Sequence, residues 1–117
     1  MTARLPTVKQ VAKAIGIPAP KWQGRCYEIS SLIVKAGVVK GTAVYGHYLG
    51  QIAPTSIFAN LRGIGWARHG WILRRDGSVV DATRWVFEAE KPYLFVGYKG
   101  HPDYDEGGNR LRECGIE

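Results

Sequence analysis

The chain has 117 residues, of which 45% are hydrophobic and 22% are charged, and this composition is that of a globular protein. The length suits a single domain over residues 1–117 and is too short for a second domain with its own core. Sixteen Lys and Arg against ten Asp and Glu give a net charge of +6, a balance that suits an acidic partner. No run of five basic residues occurs, so nucleic acid is an alternative partner that we do not favour.

Several classes of protein lack support in the sequence. No stretch of about 18 apolar residues is present to span a membrane, and residues 1–5 are not followed by the apolar segment of a secretory signal. We therefore expect a cytoplasmic protein with no membrane partner, present as a monomer or a small homo-oligomer. A chain this short and basic also suits a phage or mobile element whose product acts in a host cell.

The two cysteines, Cys26 and Cys114, do not form a Cys-x-x-Cys pair. The chain therefore lacks the parts of a disulfide framework or a zinc ribbon. A single bridge between the two cysteines is the less favoured alternative, because disulfides are rare in the expected compartment. We predict no metal site and no cofactor.

Two helices are predicted in the N-terminal third of the chain. Apolar residues recur at helical spacing after Thr7 until Gly16 and Pro18 end the pattern, so residues 1–20 form a helix and a loop. The same spacing begins again at Cys26, where a second helix should start. Gly37 is the predicted C-terminal stop of that helix.

The remainder of the chain is rich in strand-forming residues. Residues 42–52 are predicted as one strand, in which Gly46 and Gly50 mark bulges or close approaches of the backbone. Further strands are predicted over residues 66–73, 79–85 and 93–98, the first two joined as a hairpin, followed by a polar loop over residues 99–117. Helices followed by antiparallel strands indicate an α+β fold, with the helix that carries Cys26 packed on the sheet.

Cys26 is predicted to lie where a thiol becomes a nucleophile. The unpaired N–H groups at a helix N-terminus favour the thiolate. A histidine can then act as its ion-pair partner and as the acid for the leaving group, and a carboxylate can hold that histidine in one tautomer. His69 and Asp81 are the candidates for these two roles.

The hairpin loop decides whether His69 and Asp81 can meet. With a two-residue turn, Ile72 would face Asp81, and His69 would point to the opposite side of the sheet. With a three-residue loop over residues 75–77, Trp71 faces Asp81, and His69 becomes its diagonal neighbour on the same face. The glycine at the third loop position suits the second alternative, because that position takes the left-handed conformation. The Asp76-Gly77 pair, however, is typical of a two-residue turn, which suits the first alternative.

The candidate residues occur in a recognisable order. Gly24-Arg25-Cys26 opens a helix, His69-Gly70-Trp71 lies on a strand, and Val79-Val80-Asp81-Ala82-Thr83 follows. This pattern over residues 22–98 resembles the transglutaminase-like branch of the papain-like cysteine enzymes. The resemblance implies a papain-like core and a Cys26, His69, Asp81 triad. Two positions depart from the family pattern, Ala82 where proline is usual and Gly70 where alanine is usual.

Three further residues are candidates for substrate or oxyanion contacts. Gln23 precedes Cys26 and is predicted to assist a backbone N–H of Cys26 in binding an oxyanion. Trp71 is expected in the core or in a cleft wall. His47 is predicted to be structural or to line the substrate, because no acidic residue follows it at a suitable position.

The leading hypothesis is a cysteine-dependent amide hydrolase or acyl transferase that acts through a Cys26 thioester on a protein or peptide substrate. The alternative is a non-enzymatic basic module that binds nucleic acid or inhibits a host protein on a papain-like fold. Residues 8–16 support this alternative by resembling the first helix of a helix-turn-helix, although no recognition helix follows.

Overall fold

The computed structural model describes residues 5–106, and Cys114 lies outside them. Within these residues the helices are α1 (Val8–Ile15), α2 (Cys26–Lys35) and α3 (Arg84–Glu88), with 3₁₀ turns at Ala19–Trp22 and Ala59–Leu61. The strands are β1 (Thr42–Tyr48), β2 (Ala67–Leu73), β3 (Val79–Asp81), β4 (Phe95–Gly97) and β5 (Tyr104–Glu106). They form one antiparallel sheet in the order β4-β3-β2-β1-β5. The predicted α+β class is confirmed. None of the helices in the described range has the length and apolarity to cross a membrane.

Helix α1 begins with a capping box. The Thr7 side chain accepts from the Gln10 backbone N–H at 3.1 Å, and the Gln10 side chain accepts from the Thr7 N–H at 2.8 Å. The 3₁₀ turn that follows is anchored by Trp22, which is buried and donates its indole N–H to the Ile17 carbonyl at 2.8 Å. Because a buried turn occupies the place of a recognition helix, α1 is used for packing and not as part of a helix-turn-helix.

Two hydrophobic clusters lie on opposite faces of the sheet. Helix α2 begins at Cys26 as predicted, and its apolar side packs with the face of the sheet that carries Ile72 and Val80. The opposite face carries the second cluster, whose buried members are Tyr48, Ala67, Trp71, Val79, Phe87 and Tyr104. The sheet therefore separates the body of α2 from the side chains that alternate with Ile72 along β2.

The hairpin between β2 and β3 has the three-residue loop. Ile72 pairs with Val80, and the Arg74 N–H donates to the Ser78 carbonyl at 2.8 Å. Gly77, the last loop residue, has φ +87°, a conformation that costs glycine little. This register places His69 and Asp81 on the same face of the sheet.

Two strand predictions extended too far. Residues 42–52 form a strand only as far as Tyr48, and the strand predicted over residues 79–85 ends at Asp81. After Asp81 the Thr83 N–H donates to Asp81 Oδ1 at 3.0 Å, and this local turn leads into α3. The three apolar residues of α3 are consecutive and face two sides, because Trp85 and Val86 pack in one cluster and Phe87 in the other. A short buried helix of this kind cannot be told from a buried strand by periodicity.

The loop prediction for the C-terminal tail was wrong over Tyr104–Glu106, which form β5. This strand pairs with β1 and brings Tyr104 opposite Tyr48. Gly46 allows the approach, because a Cβ there would lie 2.5 Å from the Asp105 carbonyl oxygen and 2.8 Å from the Trp71 ring. Gly46 therefore marks a close approach of two strands, one of the two roles predicted for it.

Candidate active site

Cys26 lies at the N-terminus of α2, beside an edge of β2 that is left open where β3 ends. The N–H of Arg74 points toward β3, so alternation along an antiparallel strand directs the N–H of Gly70 to the same side. Beyond Val80 no β3 residue pairs with β2, and the Gly70 N–H donates instead to Cys26 Sγ at 3.2 Å. The early end of β3 thus opens the place that the sulfur occupies.

The absence of a side chain at Gly70 allows α2 to approach β2. A Cβ at this position would lie 2.5 Å from the Tyr27 Cα and 2.7 Å from the Tyr27 nitrogen. Contacts this short with backbone atoms cannot be relieved by rotating a side chain. Glycine at position 70 therefore has a structural reason, which is the close contact between the helix N-terminus and the strand.

His69 and Asp81 form a buried pair next to the cysteine. His69 Nε2 lies 2.7 Å from Asp81 Oδ2, and the two residues are 1% and 0% exposed. Because Nε2 is engaged by the carboxylate, Nδ1 is the ring nitrogen left for Cys26, which lines the same cleft as His69. Asp81 also accepts from the Thr83 N–H on Oδ1 and from the Tyr104 hydroxyl on Oδ2, the latter at 2.8 Å.

Aromatic side chains surround the His69 ring. The ring of Phe87 lies 4.9 Å away at 71°, that of Tyr48 lies 5.8 Å away at 67°, and that of Trp71 lies 5.9 Å away at 36°. Phe87 is itself stacked on Tyr48 at 4.2 Å. This packing fixes the plane of the imidazole and keeps water from its carboxylate-bonded side.

Burial and partners act in opposite directions on the ionisation of the three groups. Burial raises the pKa of the Cys26 thiol, but hydrogen bonds from His69 and from backbone N–H groups, with the His69 charge, bring it below its ordinary value. Burial likewise disfavours the imidazolium, yet the Asp81 charge and the hydrogen bonds to Asp81 and Cys26 raise the pKa of His69 to about 9. The pKa of Asp81 is lowered despite its burial, mainly by the charge of His69. Together these shifts favour a thiolate and imidazolium pair.

A cleft of about 360 Å³ opens on Cys26 and His69. Tyr27 from α2 and Tyr45 from β1 line it and are 44% and 50% exposed. Their rings meet edge to face at 5.9 Å. Arg68 and Phe58 also line this cleft. Cys26 is therefore accessible from a groove that presents two exposed aromatic rings.

The structure does not bring the other predicted site residues to the sulfur. Gln23 is exposed and donates its amide to the Pro20 carbonyl at 3.3 Å. Trp71 is buried beside His69, where it supports the imidazole and does not line the cleft. His47 lies on the face of β1 opposite to His69, since it neighbours Gly46, the partner of His69, and its ring meets Trp66 at 4.7 Å.

Two contributors to the site were missed by the sequence analysis. The Gly70 N–H became available only because β3 ends early, and Tyr104 comes from a segment predicted as polar loop. Tyr104 stands among Asp and Gly residues, and a three-residue strand has too few positions to show alternation. Neither residue could have been identified without the sheet pairing.

A second cleft, of about 940 Å³, lies behind the triad and is lined by Arg84, Glu88 and Asp103. Arg84 bonds both carboxylates, at 3.1 Å from Glu88 and 2.8 Å from Asp103. The guanidinium is therefore already neutralised within this cleft. In residues 5–106 no group of three His, Cys, Asp or Glu side chains is arranged to hold a metal ion.

Comparison of the chain with models of known protein families, with curated proteins and with solved structures finds no match.

Proposed function

We propose that this protein is a cysteine-dependent amide hydrolase or acyl transferase of the papain-like, transglutaminase-like type. The observation that carries the proposal is a helix N-terminal cysteine that shares a cleft with a buried histidine, whose Nε2 lies 2.7 Å from a buried carboxylate. Nucleophile, base and orienting group thus occur in one connected set, the arrangement that acyl transfer requires.

In the first step the Cys26 thiolate attacks the carbonyl carbon of an amide, and a sulfur–carbon bond forms. The oxyanion is stabilised by the Cys26 N–H, which belongs to the first helical turn and has no helical carbonyl to bond. The carbon–nitrogen bond then breaks, and the amine leaves with the proton from His69 Nδ1. The products are a Cys26 thioester, a free amine and a neutral imidazole.

In the second step neutral His69 removes a proton from water or from an acceptor amine, which attacks the thioester carbon. The carbon–sulfur bond breaks and the thiolate beside the imidazolium is restored. Asp81 stays ionised throughout and holds the imidazole by Nε2. Hydrolysis and acyl transfer differ here only in which nucleophile enters the cleft.

Alkylation by iodoacetamide tests the ion pair. We expect the rate at Cys26 to rise with a pKa below that of an ordinary thiol, because the neighbouring imidazolium of His69 stabilises the thiolate. A plot of this rate against pH should show a second inflection near pH 9, where His69 loses its proton. His69→Gln should raise the pKa of Cys26 above that of an ordinary thiol, since burial remains and the cation is gone. Peptide mass spectrometry would follow each cysteine separately.

His69→Gln is preferred to an alanine variant because glutamine can still donate to Asp81 and so preserve the fold. Thermal unfolding would verify that each variant is folded at the pH of labelling. A wild-type Cys26 that titrates together with Cys114, or an unchanged profile in His69→Gln, would contradict the proposed ion pair and leave the binding module as the better hypothesis.

An activated ester tests the acyl-transfer chemistry directly. With p-nitrophenyl acetate we expect a burst of nitrophenol and one acetyl group on Cys26, because the thiolate attacks and its thioester is then hydrolysed. An added amine should accelerate turnover if the enzyme transfers acyl groups, and leave it unchanged if water is the acceptor. Cys26→Ala is the control, and equal acetylation of Cys26 and Cys114 would contradict the proposal.

The exposed tyrosines indicate where a peptide substrate would contact the enzyme. We expect N-benzyl iodoacetamide to alkylate Cys26 at least several-fold faster than iodoacetamide, because its ring can pack on Tyr27 and Tyr45. Tyr45→Ala should remove this preference and keep the rate with iodoacetamide. Tyr98→Ala is the matched control, because Tyr98 is 65% exposed and does not line the cleft. An unchanged preference in Tyr45→Ala would exclude this contact.

A further inference from the structure

Tyr104 contacts the triad from the edge strand β5. Its hydroxyl donates to Asp81 Oδ2 at 2.8 Å, and this is the same oxygen that lies 2.7 Å from His69 Nε2. The other carboxylate oxygen accepts the Thr83 N–H. Two donors therefore share Oδ2, while the orientation of the carboxylate is also fixed from the backbone through Oδ1.

The tyrosine is itself held in one position by its neighbours. Its ring lies 5.1 Å from the Trp71 ring and 5.9 Å from the Phe95 ring. Arg84 Nη1 lies 3.4 Å from the Tyr104 oxygen and donates to it. Because Arg84 donates to that oxygen, the tyrosine's own proton is directed to Asp81. The position of the hydroxyl is set by β5 and α3 together, and not by a mobile loop.

The hydroxyl remains a donor over the whole working range of pH. Burial raises the pKa of Tyr104, and the nearby charge of Asp81 raises it further. Asp81 in turn has its pKa lowered by several partners, of which the Tyr104 hydroxyl is one. Proton transfer from the tyrosine to the carboxylate is therefore unfavourable, and the contact stays a hydrogen bond to an anion.

We propose that Tyr104 is a positioning residue of the triad, which limits how strongly Asp81 holds the proton of His69. The inference rests on the proposed function, because it assigns a fourth member to the same site. A donor on Oδ2 takes up part of the carboxylate charge and weakens its attraction for the imidazolium. A less tightly held proton is more readily given to a leaving amine.

The direction of the effect follows from the charges that face Asp81. The groups next to Asp81 are His69 on β2, Tyr104 on β5 and the Thr83 N–H. The charge of Asp81 also acts on Tyr48 on β1, while Arg84 on α3 bonds the Tyr104 oxygen and Cys26 on α2 neighbours the imidazole. Removing the Tyr104 hydroxyl leaves the other groups in place and makes Asp81 a stronger base. The imidazolium then persists to higher pH.

The test is the pH profile of Cys26 alkylation in Tyr104→Phe, which removes one oxygen and keeps the ring packing. The upper inflection of the wild-type profile, expected near pH 9, should move to higher pH by several tenths of a unit. Ser78→Ala is the control. It also deletes the hydroxyl hydrogen bonds of a buried residue, but the partners of the Ser78 hydroxyl are Arg74 and Asp76 in the hairpin.

An upper inflection that stays in place or moves to lower pH in Tyr104→Phe would overturn the inference, as would an equal shift in Ser78→Ala. A merely structural role would lower the melting temperature in both variants and leave both inflections where they are. Failure of the proposed function is seen separately, because the wild-type protein would then show no low-pKa thiol and no upper inflection.

Discussion

Replacing Gly70 by alanine will separate Cys26 from His69. The added Cβ would lie 2.5 Å from the Tyr27 Cα, and since that neighbour is backbone, the N-terminus of α2 must move away from β2. Overpacking of this kind costs about 1–3 kcal/mol of stability. The displaced sulfur loses the Gly70 N–H and its contact with His69, so the pKa of Cys26 rises. We expect alkylation of Cys26 at pH 6 to fall at least roughly tenfold, the factor that a rise of one pKa unit gives.

Gly97→Ala is the control for this variant, because Gly97 also lies in a strand and has a negative or extended φ. The nearest atom to an added Cβ there is a side-chain carbon of Phe95 at 3.0 Å, which can shift. The rate of alkylation by iodoacetamide at pH 6 and the melting temperature would be measured for both Gly70→Ala and Gly97→Ala. A folded Gly70→Ala protein that labels as fast as the wild type would show that the strand contact does not set the position of the sulfur.

Asp81→Asn will abolish most of the activity toward activated esters. Asparagine cannot stabilise the imidazolium by charge, and it holds His69 equally well in the wrong tautomer, an effect worth on the order of 10⁴ in rate in a serine protease triad. The pKa of His69 falls because its main stabilising partner is lost, and burial then favours neutral imidazole. The Cys26 thiolate consequently loses its counter-ion. The burst of nitrophenol at neutral pH measures this loss.

The loss of stability caused by Asp81→Asn should be larger at neutral pH than at acidic pH. The folded-state pKa of Asp81 is lowered from 3.8, so the carboxylate stabilises the fold above this value and loses that contribution as the pH falls through the folded-state pKa. The free energies of unfolding of wild type and variant should therefore differ most near neutral pH and converge on acidification. Breaking a buried pair of this kind costs about 3–5 kcal/mol.

Asp76→Asn is the matched control for the change of charge. Asp76 lies in the hairpin loop and accepts from the Ser78 N–H at 2.9 Å, a bond that the asparagine oxygen can also accept. Denaturant unfolding between pH 3 and pH 7 compares the two variants. A difference between wild type and Asp81→Asn that is independent of pH, or an equal effect of Asp76→Asn, would contradict the assignment of the ionised pair to Asp81.

The sequence contained enough information for the hairpin that carries His69 and Asp81. Gly77 in third position favoured the three-residue loop, and the pleat of the strands then determined which side chains share a face. The start of α2 at Cys26 followed in the same way from apolar spacing after a Pro- and Gly-containing loop. Both are local features, specified within about ten residues.

The features that sequence analysis missed depend on long-range packing. Trp85, Val86 and Phe87 are consecutive apolar residues divided between two clusters, and this removes the periodicity that distinguishes a helix from a strand. Tyr104 reaches the site only because β5 pairs with β1, and the sequence around Tyr104 does not predict that pairing. Gln23 was placed near the sulfur by its distance along the chain, whereas its side chain turns back to Pro20.

The order of the site residues along the chain has a consequence for folding kinetics. His69 and Asp81 are 12 residues apart on one hairpin, whereas the contacts of Gly70 with Cys26 and of Tyr104 with Asp81 span 44 and 23 residues. Closing the longer loops costs more chain entropy, and contacts of high sequence separation form slowly. During refolding the hairpin can therefore form before α2 and β5 dock. Nucleophilic reactivity would then report the final assembly step of the chain, and not the appearance of its secondary structure.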